Sequence, residues 1–275
     1  MRSGEKGEEN GIIDISQPRG DLRDIGMRQT FWTYQTDLPS GSGFAQFSAT
    51  HLAWVFTAGI LVLAALWIYR RRSAVHRRRM EMVLAMLLAA SYLLRWIWAI
   101  VIGHFYAAEM LPLQLCAWSA AMEIAAVFSR KPLLKEFGYA CGIPGALVAF
   151  VLPGIGPYPL WHFYYLLFIL DHTILILLPM IWVWGDGFRP DVRRLLRCFV
   201  LLLVMAGGDV VINARIGSNF MFLNFVPADT SLKPVAELFG NPGYQFAMAA
   251  LLFVVWGILY APWIIIKRRH QAQSI

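Results

Sequence analysis

Two side chains within apolar stretches of the sequence have the chemistry of a nucleophile and a base. Cys116 ends the run LPLQLC, and its thiol becomes an effective nucleophile where a neighbouring base or cation favours the thiolate. His172 ends the run HFYYLLFILDH, beside Asp171 and one heptad after Tyr165 on the same helical face. An imidazole in that position favours a general base. The residues alone leave two alternatives open: inert packing for Cys116, and for His172 a core imidazole bonded to a hydroxyl or carbonyl.

Several ionisable residues lie within apolar stretches, where charged groups are costly, usually pair with one another and mark function. They are Arg95, Glu123, Asp171, His172 and Asp209. One permanent cation among three carboxylates predicts at least one ion pair. We expect Arg95 to form a structural clasp with Glu123 or Asp209.

Four further polar residues lie near the ends of apolar segments, and imidazole and carboxylate groups can bind metal ions. They are His51, His104, Glu109 and His162. None has the i, i+4 spacing of a metal motif, so the sequence favours histidines satisfied by water or lipid headgroups, with no metal and no cofactor. Cys141 and Cys198 are predicted to be inert, since the cysteines show neither zinc spacing nor a disulfide framework.

The composition places these residues in a membrane protein. Of the 275 residues 58% are hydrophobic and only 15% are charged, against about 45–50% and about 25% in an average soluble domain. Such a surplus cannot be buried in one soluble core, and it excludes disorder, a collagen-like fibre and a disulfide scaffold. The net charge is +7, and most of the Lys and Arg residues lie in short clusters between apolar segments. This distribution indicates membrane orientation rather than nucleic-acid binding.

The apolar segments predict an all-α, polytopic bundle of seven transmembrane helices, since a spanning helix needs roughly 20 mostly apolar residues. The third and fourth segments are short and carry polar, Gly or Pro residues, so we expect them inside the bundle. The segments are approximately 51–69, 80–103, 112–128, 137–152, 163–184, 195–213 and 243–266.

Basic residues set the expected orientation. Clusters lie between the first and second, third and fourth, and fifth and sixth segments, and after the seventh: 70–79, 130–135, 189–197 and 267–269. The intervening loops 104–111 and 153–162 contain no Lys or Arg. The positive-inside rule then predicts an outside N-terminus and a cytoplasmic C-terminus.

Three regions follow from this pattern. Residues 1–45 are polar and broken by Pro and Gly, which predicts a mobile tail with a short interfacial piece around Phe31, Trp32 and Tyr34. Met27 is an alternative start. Residues 46–270 form the seven-helix domain. Within it, the extracytoplasmic loop 214–242 is long and aromatic, so we expect an ordered lid.

Several motifs in order resemble the YwaF-like family of bacterial integral membrane proteins. They are FSATH (47–51), LPLQLC (111–116), HFYYLLFILDH (162–172) and NARIGSNFMFLNFVPADTSL (213–232), within a resemblance that covers roughly residues 44–266. That family is similar to a eukaryotic transmembrane protein implicated as a coenzyme-A-independent acyltransferase of ether phospholipids. The resemblance implies a bacterial plasma-membrane protein whose Cys116 carries a fatty acyl thioester and whose His172 assists.

The implied reaction moves an acyl group from a phospholipid to Cys116 and then to a lysophospholipid hydroxyl. His172 would deprotonate first the thiol and then the hydroxyl. Supporting roles are expected for Asp171 in orienting the imidazole, for Gln114 or Asn219 as oxyanion donors, and for Arg95 on a lipid phosphate. The chain departs from the family at Gln114, where a histidine is often present, and at Asp171, where a small polar residue is usual.

Two other classes of function remain open from the residues. A transporter or lipid-handling protein would use Arg95, Glu123, Asp171 and Asp209 as a polar pathway, although no inverted repeat is evident. A receptor or assembly factor would bind a partner through its outer loop. Residues 243–266 contain no lysine, which excludes a rhodopsin-type protein.

Overall fold

The computed structural model describes residues 30–153, 156–227, 230 and 232–272, and within them all regular structure is helical. We number the seven longest helices in chain order. They are α1 (Ala49–Arg70), α2 (Ala74–Val101), α3 (Leu115–Ser129), α4 (Pro132–Val151), α5 (Phe163–Gly185), α6 (Val192–Ile216) and α7 (Gly243–Ala272). Short helices at Ala107–Met110 and Lys233–Phe239 lie in the connections.

Six of these helices are long and apolar enough to cross a membrane, and α3 is the short exception. Its 15 residues rise about 22 Å at 1.5 Å per residue. The predicted polytopic helical membrane protein is thus confirmed, while the seventh crossing and the orientation stay predictions. Helices α2 and α4 begin earlier than expected, at Ala74 and Pro132. In α4 the proline suits the first helical turn, so the helix starts before its apolar part.

Helix α5 is the centre of the bundle. In its most apolar stretch 72% of the residues are buried, against 11% in α7. It packs against α1, α2, α3 and α4. A helix that is apolar all round is expected in such an enclosed position. Helices α1, α6 and α7 instead expose Leu, Ile, Val and Phe side chains on their outer faces.

Polar contacts join the four basic clusters at one end of the bundle, which we call the basic end. Tyr69 lies 3.0 Å from Asp186, and Arg78 donates to the Val127 carbonyl. Beside them, Arg194 donates to Glu136 at 2.6 Å, and Lys267 pairs with Asp191 at 3.1 Å. These contacts bring together the α1–α2, α3–α4 and α5–α6 connections and the last turns of α7. The assignment of this end to the cytoplasm stays a prediction.

The opposite end is covered by residues that the sequence assigned to the tail and the lid. Residues 1–29 lie outside the described part of the chain. From residue 30 onward the tail lies against the bundle, where Trp98 Nε1 donates to the Trp32 carbonyl at 2.9 Å. Tyr34 is buried there and stacks on His104 at 4.6 Å. Of the loop 214–242, residues 228, 229 and 231 lie outside the description.

Glycines allow α3 and α4 to approach closely. Residues Gly138–Gly142 of α4 form a π-helical turn against Glu123 of α3. A Cβ atom at Gly142 would lie 2.3 Å from Glu123 Oε1, and one at Gly138 would lie 2.9 Å from Glu123 Cγ. Small residues at helix contacts let backbones pack closely inside membranes. The composition of α4 thus fixes how near α3 can lie.

We predict that Gly142→Ala destabilises the protein, because the added methyl group overlaps the Glu123 carboxyl and α3 must shift. Overpacking of this kind costs about 1–3 kcal/mol. The matched control is Gly207→Ala in α6, where a Cβ has no neighbour within 4 Å. Thermal unfolding in detergent should show a lower midpoint for Gly142→Ala and an unchanged or higher midpoint for the control. Equal midpoints would contradict the close approach of α3 and α4.

Candidate active site

Cys116 occupies the first turn of α3. The residue before that helix, Gln114, makes no side-chain capping bond, and the backbone N–H groups of Leu115, Cys116 and Ala117 have no acceptor among the described residues. The Sγ atom lies 3.8 Å from the Cβ position at Gly145 on α4. Cys116 is partly buried, whereas the other two cysteines are fully buried. The thiol therefore lies beside free donors at a helix N-terminus.

The shortness of α3 accounts for the depth of Cys116. Its last turns meet the basic end, where Arg78 binds the Val127 carbonyl. Because α3 is 15 residues long and its neighbour α2 is 28, α3 starts well below the far end of α2. Cys116 packs on the same core cluster as Tyr92, whose ring lies 5.0 Å from the guanidinium of Arg95, six residues before the end of α2. The nucleophile candidate therefore lies within the bundle rather than at its far end.

His172 presents one free ring nitrogen. Its Nδ1 lies 2.7 Å from the Phe168 carbonyl, and a carbonyl can only accept, so Nδ1 carries the proton. Among the described residues Nε2 has no hydrogen bond, which leaves it as the basic nitrogen. The ring packs against Phe168 at 4.2 Å and Phe150 at 6.0 Å between ring centroids. Tyr165 stacks on Phe168, so it supports the imidazole through that ring.

Asp171 makes the buried ion pair of this region. Its carboxylate accepts from Arg95 and from the Ser91 hydroxyl. The Arg95 guanidinium also lies 5.0 Å from the ring centroids of both Tyr92 and Tyr164. The expected clasp of Arg95 therefore forms, but with Asp171 rather than with Glu123 or Asp209. The carbonyl of Phe168, and not Asp171, holds the His172 ring.

One packed cluster joins the surroundings of the two candidate catalytic residues. It contains Cys116, the Tyr92 and Tyr164 rings that flank Arg95, and the Phe150 and Phe168 rings that pack on His172. No hydrogen bond joins Cys116 to His172 within the described chain. The Nε atom of Arg95 is buried and has no hydrogen-bond partner among the described residues.

The other two carboxylates lie apart from Arg95. Glu123 is fully buried on α3, and neither of its oxygens has a hydrogen-bond partner among the described residues. Asp209 accepts from Trp118 Nε1 at 3.2 Å, which ties α6 to α3, and its second oxygen is unpartnered in the same part of the chain.

The described part of the loop 214–242 rests on the start of α3. Gln114 Oε1 accepts from the backbone N–H of Met221 at 2.9 Å. The Asn219 side chain is occupied within the loop, since its Oδ1 accepts from Asn224 N at 3.0 Å and its Nδ2 donates to the Phe225 carbonyl at 2.8 Å. Of the two oxyanion donors expected from the sequence, Gln114 retains an unused amide N–H group.

The three histidines near the ends of the apolar segments form hydrogen bonds or ion pairs with other protein groups. His51 Nε2 lies 2.7 Å from the Phe150 carbonyl, and His104 pairs with Asp37 at 3.2 Å. His162 Nε2 donates to the Thr33 carbonyl at 2.9 Å, while its Nδ1 accepts from the Tyr164 N–H at 3.0 Å and caps α5. No group of three or more His, Cys, Asp or Glu residues in the described chain is arranged to hold a metal ion.

Sequence reasoning missed Ser91 and Tyr92, and it left open a carbonyl partner for His172 without naming Phe168. A signal for the first two was present, since Ser91 and Tyr92 precede Arg95 by four and three residues and therefore share its helical face. A backbone carbonyl leaves no such signal. The free N–H groups at the start of α3 could have been expected from the lack of a good N-cap residue at Gln114.

The fold and this site define a polytopic, all-helical membrane protein with a buried Arg–Asp pair beside a partly exposed cysteine and a histidine. The chain belongs to the TMEM164 family, whose family model matches residues 46–260. No curated protein and no solved structure matches the chain.

The buried His162 predicts a loss of stability in acid. Burial lowers the pKa of His162 to about 4, from about 6.5 in an unfolded chain. Between these values the unfolded state binds more protons, so stability rises with pH and is lost as the pH falls from about 6.5 toward 4. His162→Asn should cap α5 without titrating. As the pH falls across this range, the midpoint of thermal unfolding should therefore decrease more steeply for the parent than for His162→Asn. Midpoints that decrease in parallel would contradict the prediction.

Proposed function

We propose that this protein is a membrane lipid acyltransferase that carries its acyl group as a thioester on Cys116, with His172 as the base. The observation that carries the proposal is the free Nε2 of His172, fixed as the basic nitrogen by the bond from Nδ1 to the Phe168 carbonyl. The resemblance of the LPLQLC and HFYYLLFILDH motifs to the YwaF-like family supports the same residues. The substrates are a donor phospholipid and an acceptor lysophospholipid.

The first half-reaction forms the thioester. His172 Nε2 takes the proton of the Cys116 thiol, and the sulfur attacks the carbonyl carbon of a phospholipid ester. The new S–C bond replaces the C–O bond to the glycerol oxygen. That oxygen leaves as the hydroxyl of a lysophospholipid, because the imidazolium returns the proton to it. No proton is gained or lost overall.

The start of α3 supplies the donors for the negative charge that develops on the carbonyl oxygen. The N–H groups of Leu115, Cys116 and Ala117 lie in its first turn without described acceptors. Gln114 adds its amide N–H group, held by the bond from Met221 to its Oε1. Donors preorganised around such an oxygen stabilise the transition state.

The second half-reaction reverses these steps with another lysophospholipid. His172 removes the proton from the acceptor hydroxyl, the oxygen attacks the thioester, and the thiolate of Cys116 leaves and regains the proton. Arg95 keeps guanidinium N–H groups beyond those used by Asp171, which suits a lipid phosphate. An apolar site at membrane depth excludes water, which favours transfer over hydrolysis.

The proposal includes a position in the bacterial plasma membrane. All seven helices would cross, with the basic end in the cytoplasm and the N-terminus outside. Cys116 and the lid would then face the outer leaflet. The contacts that bring the four basic clusters to one end of the bundle support this arrangement.

One observation favours a second candidate, a transporter or lipid-handling protein without a covalent step. Glu123 and Asp209 each keep at least one buried oxygen without a described partner, as residues of a polar pathway do. In that case the thiol would be dispensable, so Cys116→Ser would retain full function in cells.

We predict that incubation with labelled phospholipid leaves an acyl group on Cys116. Intact mass of the purified protein should show a hydroxylamine-labile adduct on the parent and on Cys141→Ser, and none on Cys116→Ser. Cys141 is the matched control because it is a cysteine of the same bundle and is fully buried.

Absence of an adduct with every phospholipid class tested, together with full function of Cys116→Ser in cells, would contradict the acyltransferase. An adduct that survives in Cys116→Ser would place the nucleophile elsewhere.

A further inference from the structure

Glu123 is a buried carboxyl group that the proposed reaction does not use. It lies seven residues after Cys116 on α3, which is two helical turns further toward the basic end. Its side chain is fully buried, and neither oxygen has a hydrogen-bond partner among the described residues. An isolated carboxylate in an apolar interior is so poorly solvated that the group takes up a proton instead.

The surroundings of Glu123 combine two irregular backbone segments. The π-helical turn Gly138–Gly142 of α4 lies directly against its side chain. On α5, Pro179 has no N–H group, so the carbonyl of Leu175 lacks its donor in the helix. Both Glu123 Oε1 and the Leu175 oxygen border the Cβ position at Gly142, at 2.3 and 3.4 Å. A carboxyl group and an under-bonded carbonyl therefore occupy one enclosed space.

Other charged and titratable groups on the neighbouring helices are engaged elsewhere or lie apart. On α5, Asp171 is paired with Arg95 of α2. On α4, Lys135 lies over the Trp182 ring at 5.4 Å, and Glu136 is bound by Arg194. The remaining groups on these helices include Cys116 on α3, Tyr92 on α2, Tyr139 and Cys141 on α4, and His172 on α5. None of them forms a hydrogen bond or ion pair with Glu123 in the described chain.

We propose that Glu123 is a proton-binding site, held as a neutral carboxylic acid whose O–H group donates to the Leu175 carbonyl. Two oxygens that both only accept repel each other, and one proton converts the pair into a hydrogen bond. The bond is made directly or through one buried water. It supplies the donor that Pro179 withholds, and it satisfies one of the two unpartnered carboxyl oxygens.

This bond would help to fix the position of α3 along α5. Helix α3 is short and reaches α4 through glycines, which offer no polar contact of their own. A hydrogen bond from Glu123 to the central helix would therefore add to the polar contacts that hold α3, which are the bond from Arg78 to the Val127 carbonyl and the bond from Trp118 to Asp209. Since Cys116 lies on the same helix, the same bond would help to hold the thiol in place. The proposal does not depend on the acyl-transfer reaction.

The test is infrared spectroscopy of the full-length protein in detergent at neutral pH, without added lipid. The parent should show a C=O stretch of a protonated carboxylic acid that shifts in D₂O and is lost in Glu123→Gln. That variant keeps the shape and an N–H donor for Leu175, so it should fold. Asp209→Asn is the matched control, and it should keep the Glu123 band.

Linkage gives a second readout. If the folded protein holds the proton, the unfolded chain loses it above about pH 4.3. The stability of the parent relative to Glu123→Gln should then fall as the pH rises, by up to about tenfold in the unfolding equilibrium per pH unit.

Identical acid bands in the parent and Glu123→Gln would overturn the proposal, as would a stability difference that is independent of pH. A carboxylate band in the parent that shifts on addition of Na⁺ and is absent from Glu123→Gln would instead identify a cation site. These outcomes are independent of any acyl adduct on Cys116.

Discussion

The ion pair between Arg95 and Asp171 is the contact around which the interior is arranged. It joins α2 to α5, the most buried helix of the bundle. Within a membrane a charged side chain is tolerated where it pairs and faces the protein. Removal of one partner from a buried pair typically costs about 3–5 kcal/mol, because the other charge is left without a partner. Ser91 and the rings of Tyr92 and Tyr164 complete the enclosure of the pair.

A second constraint is the length of α3. A helix of 15 residues that meets the basic end cannot reach the far end of its longer neighbours. Its N-terminus, with unbonded N–H groups and Cys116, therefore lies inside the bundle, near Arg95. The glycines of α4 hold it there by allowing close backbone contact. In this way a helix too short to be a good spanning segment places a thiol and unbonded backbone N–H groups inside the bundle.

The sequence predicted the apolar segments, the short third helix and the ionisable residues within them. These features depend only on the residues along a single helix. Pairing depends on how helices rotate about their axes, so the partner of Arg95 was predicted wrongly. The expected partners were Glu123 and Asp209, but α3 turns Glu123 toward α4 and Trp118 binds Asp209.

Contacts made by backbone groups explain most of the remaining differences between the structure and the expectations from the sequence. The Phe168 carbonyl orients His172, and the π-helical turn of α4 receives Glu123. Side-chain types along the chain carry little information on such contacts. The side-chain types in the loop 214–242 were equally uninformative. The Asn219 side chain donates to the Phe225 carbonyl within the loop, while Gln114 accepts from the backbone N–H of Met221. Turn-forming asparagines bond to nearby backbone groups as readily as they serve a ligand.

In the proposed reaction, Nε2 of His172 serves as the base for Cys116. The most direct measurement is the rate at which a small alkylating reagent modifies Cys116 at neutral pH, followed by mass spectrometry. If His172 is the base, His172→Gln should slow the modification by about tenfold or more, while His51→Gln should leave the rate unchanged. Equal rates in the parent and His172→Gln would exclude His172 as the base for Cys116.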